Sequence, residues 1–173
     1  MSEYLKEMGA AMAASGSIAL YHVEGETPEW RGAVVDKVET VTVEDSDLRA
    51  VREAFSDDWS GIDMILIGCP PHASLPEIKE VAELLRMRGK PLKIPLFITA
   101  SRAVKALADA LGYTGTIERY NGRIIPDSCF VVSPIKGWYR GVATNSGKSA
   151  FYFRSFGFSV RLDDVENLIK EAP

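Results

Sequence analysis

Cys69 and His72 stand three residues apart in I-G-C-P-P-H-A-S-L, residues 67–75. A second thiol, Cys129, follows sixty residues after the first, in P-D-S-C-F-V-V-S-P, residues 126–134. Thiolates and imidazoles bind transition metals, and a thiolate is also a nucleophile. Two cysteines and two histidines, His22 and His72, do not match zinc-finger spacing. Buried thiols also pack as small hydrophobic groups, so both readings stay open. A third stretch, T-N-S-G-K at residues 144–148, is not a Walker A motif, because the upstream glycine pattern is missing. It puts Asn145 or Ser146 at a helix N-cap and Lys148 in the first turn. Free amide N–H groups beside a lysine suit a phosphate or a carboxylate. An ordinary capped helix with a surface lysine is the alternative. His22 opens the polar loop H-V-E-G-E-T-P-E and is either a substrate contact or a turn residue bonded to backbone.

These residues need elements to present them. Ile62 to Ile67 is a short run rich in Ile and Leu, which suits a strand covered on both faces of a parallel sheet. Gly68 ends it. Ser74, Pro76 and Glu77 form a capping-box pattern that starts a helix from Leu75 to about Arg88, stopped by Gly89 and Pro91. Its apolar face is Ile78, Val81, Ala82, Leu84 and Leu85. Cys69 then sits on a tight loop at the C-terminal edge of the strands, where ligands bind in open α/β sheets.

The remaining pattern alternates in the same way. Helices are predicted over Tyr4–Ala14, Ser46–Phe55 (with Leu48, Val51, Ala54 and Phe55 on one face), and from Ser101 through Ala110 with Val104, Leu107, Ala108 and Leu111 inward. Strands are predicted at Ile18–Tyr21, Lys37–Val43 (from its polar/β-branched alternation), Ile94–Thr99 and Phe158–Val160. Thr116–Tyr120 and Arg123–Ile125 are expected to pair or extend the sheet. Trp30–Val35 is ambiguous, Pro134–Ala143 reads as a glycine-punctuated loop, and Asp163 is expected to cap a terminal helix. Strand–helix alternation with short loops predicts an α/β fold in three layers, α/β/α, with a mainly parallel sheet in one domain, residues 1–173. Four loops would gather at one edge: 22–29, 68–74, 126–129 and 144–148.

With 173 residues and a 46% apolar share the chain is long and hydrophobic enough for a real core. Its net charge is −4 and its basic residues are dispersed, which argues against a nucleic-acid partner. No apolar run reaches the length of about 18 residues that a membrane span requires. Met1–Glu7 lacks a signal-peptide pattern, so a cytoplasmic location is expected, and a reducing compartment disfavours a structural disulfide.

The two cysteine motifs quoted above, T-N-S-G-K-S-A-F-Y (144–152) and M-G-A-A-M-A-A-S-G-S-I-A-L-Y-H-V-E-G-E-T-P-E (8–29) together resemble the large subunit of the aconitase X family. The likeness covers nearly the whole chain but only the C-terminal part of a family subunit more than twice as long. It implies an aconitase-like domain. It also implies that Cys69 and Cys129 are two of three thiolates holding an iron–sulfur cluster, 4Fe–4S in the archaeal members, with the third cysteine outside this chain. A cluster held by three thiolates leaves one iron open to act as a Lewis acid on a departing hydroxyl. The implied activity is dehydration of a small hydroxy acid. That acid is 5-phosphomevalonate, giving trans-anhydromevalonate 5-phosphate in isoprenoid synthesis, or cis-3-hydroxy-L-proline. The implied partners are the N-terminal part of the large subunit and a small swivelling subunit. His22, His72, Asn145, Ser146 and Lys148 become candidate substrate contacts, with His72 alternatively bonded to cluster sulfur. Ser146 is the candidate base by analogy with aconitase. The rival reading is a non-catalytic α/β module with idle thiols.

Overall fold

The computed structural model describes residues 3–33 and 37–173. Five strands, β1 (Met64–Ile67), β2 (Leu96–Ala100), β3 (Gly122–Pro126), β4 (Gly141–Thr144) and β5 (Ser159–Leu162), form one sheet in the order β3-β2-β1-β4-β5. All four pairings are parallel, with Ile65 opposite Leu96 on one side and Ala143 on the other. The helices are α1 (Glu3–Gly16), α2 (Asp45–Ala54), α3 (Leu75–Arg88), α4 (Arg102–Ala110), α5 (Tyr113–Arg119), α6 (Gly147–Ser155) and α7 (Val165–Glu171).

β1 is central and every one of its residues is buried. Ile65 and Ile67 face a core with Ile78, Val81 and Leu85 of α3, Ile117 of α5, and Leu168 and Ile169 of α7. Met64 and Leu66 face the opposite core with Phe153 of α6, Phe158 and Val160. Burial on both faces explains the unbroken apolar run, and each such side chain is worth about 2 kcal/mol. Helices on both faces give the three layers. The chain leaves β1 outward in both directions, so the crevice beyond the C-terminal ends of β1 and β4 is a topological switch point.

α1 lies against α6, where a Cβ on Gly147 would come 3.2 Å from Ala11 Cβ. Tyr21 folds back over Gly9 and donates from its hydroxyl to Leu5 O at 2.5 Å.

Several expectations are corrected. Ile18–Tyr21 is not a strand and pairs with no described strand, because α1 rather than the sheet takes up Tyr21. Lys37–Val43 is likewise not a strand, and Val38, Val41 and Val43 are exposed, since no described strand lies beside them. Thr116–Arg119 belongs to α5, where Thr116 and Ile117 are buried. The presumed loop at 134–143 contains the start of β4. Leu107 and Leu111 lie outward, as do Leu48 and Val51 of α2. Asp164, not Asp163, caps α7 by accepting Asn167 N–H at 2.8 Å. Trp30–Gly32 is a 3-10 turn, and the rest of that ambiguous stretch includes residues 34–35, which lie outside the described residues.

Candidate functional site

Three of the four expected loops meet at the switch point. Gly68 ends β1 at φ +70°, and the chain turns back so that Ala73 N–H donates to Thr99 O at 2.8 Å. The Thr99 hydroxyl also donates to Gly68 O, so the end of β2 holds both shoulders of the Cys69 loop. From the other side, Asp127 N–H donates to Ala100 O at 2.9 Å and steers the Cys129 loop inward. The two thiols end 3.9 Å apart, in van der Waals contact, and both are free. Cys69 is fully buried and its Sγ accepts the Phe130 amide N–H at 2.9 Å, while Cys129 is half-buried. Burial pushes the Cys69 thiol up to about 11; Cys129 beside it adds to the rise and the Phe130 amide opposes it. A metal binding here must therefore displace protons.

His72 is half-buried. Its Nε2 lies 2.8 Å from Ser128 O. A carbonyl only accepts, so Nε2 carries the hydrogen. Lys6 of α1 donates to His72 O at 3.2 Å and to Glu77 Oε2 at 2.5 Å, and Glu77 closes the capping box by accepting Ser74 N–H at 2.7 Å. Lys6 carried no signal in the sequence. Its role follows from α1 crossing this edge.

The third loop brings α6. Ser146 is fully buried. Its hydroxyl donates to Pro70 O at 2.5 Å and accepts Ser149 N–H at 3.1 Å. Ser146 is thus a helix cap that ties α6 to the cysteine loop, and its proton is already committed, which removes the geometric ground for reading it as the base. Ser146→Ala leaves Pro70 O and Ser149 N–H without that partner. It is expected to cost about 2 kcal/mol in urea denaturation. Gly147 and Lys148 precede the first intrahelical bond of α6, Ala150 N–H to Ser146 O, so their amides have no partner within the helix, and both residues are half-buried. Asn145 Oδ1 is buried without a partner and borders a cleft of about 410 Å³ with Leu48, Arg52 and Asp163. Neither thiol lines that cleft.

His22 follows the unpaired run 18–21, and its Nδ1 is buried without a partner. No described hydrogen bond joins it to either cysteine loop. Arg140, whose amide and guanidinium both donate to Asp63, precedes β4 and so lies at the opposite edge of the sheet.

Glu7, next to Lys6, has both carboxylate oxygens buried without a hydrogen bond. Burial raises its carboxyl from 4.5 to about 7; Glu77 and Glu3 add to the rise and Lys6 opposes it. Below pH 4.5 the group is protonated folded or unfolded. Between 4.5 and about 7 the unfolded chain releases the proton first, so stability falls as pH rises. Glu7→Gln should match the parent at pH 4 and exceed it at pH 8. After allowance for solvent screening the gain is about 1–2 kcal/mol, read from urea midpoints at the two pH values.

The family model for the aconitase X second domain matches residues 1–53, and that for the third domain matches residues 62–173. The chain is 87% identical over 172 residues to the phosphomevalonate dehydratase large subunit of Thermococcus kodakarensis, covering 99% of this chain and 44% of that protein. It is 45% identical to the protein of that name from Methanocaldococcus jannaschii, covering 98% and 42%. The crystal structure of Thermococcus kodakaraensis aconitase X in its holo-form superposes on the whole chain with a TM-score of 0.97, over 45% of its own length. The chain thus spans less than half the length of the relatives it matches. With both family models matching in chain order, and the sheet superposing on a solved member, the chain belongs to the aconitase X family.

Proposed function

We propose that this chain is the C-terminal part of the large subunit of a cytoplasmic iron–sulfur hydro-lyase that dehydrates 5-phosphomevalonate to trans-anhydromevalonate 5-phosphate. The observation that carries this reading is the convergence of Cys69 and Cys129, sixty positions apart in the chain, to 3.9 Å at the switch point, where Ser146 at the start of α6 bonds the same loop. Two thiols in contact, one already accepting an amide N–H, are a donor set suited to an iron–sulfur centre. Cys69 and Cys129 would supply two of its three thiolates. No third Cys, His, Asp or Glu completes a metal-binding group with them among the described residues, and the third thiolate is assigned to the preceding part of the large subunit. When bound, the cluster, most simply 4Fe–4S, supplies a Lewis acid for the departing hydroxyl.

The residues of this chain hold the substrate. Lys148 and the Gly147 and Lys148 amides form a cationic, donor-rich end that suits the phosphate or carboxylate of the substrate. Asn145, whose carbonyl oxygen is unused, borders the neighbouring cleft and is kept as a peripheral substrate contact. Ser146 fixes that end to the cysteine loop through Pro70. His22 is kept only as a peripheral contact, and the small swivelling subunit is assigned to close the crevice.

The test is turnover. The chain is assembled with the preceding part of the large subunit and the small subunit, reconstituted anaerobically, and offered 5-phosphomevalonate and cis-3-hydroxy-L-proline separately. Dehydration of the first supports the reading. Dehydration of the second alone moves the assignment to a hydroxyproline dehydratase, and turnover of neither sinks both.

A further inference from the structure

The strands that end in the two thiol loops, β1 and β3, are not neighbours, because β2 lies between them. The sheet ladder therefore anchors each loop to β2 and leaves the loops unjoined by backbone pairing. Of the described contacts that join them directly, three fix the geometry of the thiols, and the Val131 amide lies near the Cys69 sulfur as well. Two run through sulfur: the Phe130 amide to Cys69 Sγ at 2.9 Å, and the Cys69–Cys129 contact at 3.9 Å. The third, His72 Nε2 to Ser128 O at 2.8 Å, involves no sulfur. It spans from three residues after one thiol to the residue before the other. His72 is itself held, since Lys6 grips its carbonyl and Glu77 joins Lys6 to the Ser74 amide. The chain of bonds from α1 through Lys6 and His72 to Ser128 thus crosses the gap that the sheet leaves open.

We propose that His72 is a positioning residue that latches the two cysteine loops into a preformed dithiol, with Lys6 and Glu77 as its anchor. The purpose given to that dithiol rests on the ligand reading of the cysteines. When a soft centre takes both sulfurs, the latch remains, because it uses neither of them. Without it the Cys129 loop samples other positions, and the effective concentration of the second thiol at the first falls.

Phenylarsine oxide reads this directly. Two thiols lose their protons, two As–S bonds form, and the arsenoxide oxygen leaves as water. The reduced chain is titrated by calorimetry, with near-UV circular dichroism reporting the folded fraction of each variant. The parent is expected to bind one arsenical tightly, and Cys69→Ser to lose the site. Folded His72→Ala should bind at least about tenfold more weakly. His72→Gln, which keeps an N–H donor at that reach, should recover most of the affinity, and Lys6→Met should fall between. Parent-like affinity in His72→Ala overturns the proposal, as does His72→Gln binding as weakly as His72→Ala. Should His72→Ala not fold, parent-like affinity in Lys6→Met overturns it. The titration needs no iron, substrate or partner chain, so its result and that of the dehydratase assay stand or fall separately.

Discussion

Cys69→Ser and Cys129→Ser are each expected to strip the visible iron–sulfur absorption from the assembled, reconstituted enzyme and to lower turnover by at least about 1000-fold. Losing a partner of a metal ligand already costs ~10–100-fold, and losing a ligand itself costs more. Serine is nearly the size of cysteine, and at position 69 its hydroxyl is placed to accept the Phe130 amide, so the chain should remain folded, with a penalty of about 1–2 kcal/mol for a buried hydroxyl. The contrast between near-normal folding and lost iron separates a ligand from a packing residue. Iron counting and absorption after anaerobic incubation with iron and sulfide make the measurement. Unchanged iron in either variant would return the thiols to a structural role.

Gly68→Ala should be strongly destabilising. A Cβ there would sit 2.5 Å from Ala73 N and 2.7 Å from Thr99 O, at φ +70°. Both atoms belong to the hydrogen bond that closes the cysteine loop, so neither yields without opening it. Left-handed backbone costs alanine about 1–2 kcal/mol, and a backbone collision adds more, for a total of at least about 4 kcal/mol. Gly112 offers the control: its φ is +76° but a Cβ there meets nothing within 4 Å. Gly112→Ala should cost only about 1 kcal/mol. Urea midpoints for the pair decide it, and a loss below about 1 kcal/mol at Gly68 would mean that the loop is not closed as described.

What the sequence made legible is what local chemistry writes. The bounds of α3 follow from Ser74, whose side chain accepts Glu77 N–H, and from Gly89 at φ +72°. β1 was readable because burial on both faces leaves no polar position. The strand pattern at residues 37–43 misled because alternation describes a surface that fits a sheet and cannot supply one. α5 was hidden for the opposite reason: its β-branched Thr116 and Ile117 favour strands, and packing on α3 overrode that preference. β4 was missed because it begins with a glycine. That glycine is needed where a Cβ would come 2.0 Å from Gly61 O. At the site, residue types and loop positions were legible for Cys69, Cys129 and Lys148, and the resemblance gave them roles. The convergence of the thiols was not legible, because it depends on β2 standing between their strands. The commitment of the Ser146 hydroxyl to Pro70, and the reach of Lys6, were hidden for the same reason: both are contacts between segments distant in the chain.

The strand order also sets a sequence of events in time. β1, β2 and β3 are consecutive and adjacent, so both thiol loops are complete once synthesis passes Cys129. β4, which leads through Asn145 into α6 with Lys148, joins the opposite flank of β1 only afterwards. At ~5–20 residues per second, about one to four seconds separate Cys129 from Lys148 on the ribosome. Contacts close in sequence form first, so the strands bearing the two thiol loops come together ahead of β4 and α6. The order of manufacture thus runs thiol loops first and α6 second. For that interval the thiols stand without the cover of α6 and β5, which complete the core around Cys69, and are more open to oxidation than in the finished fold.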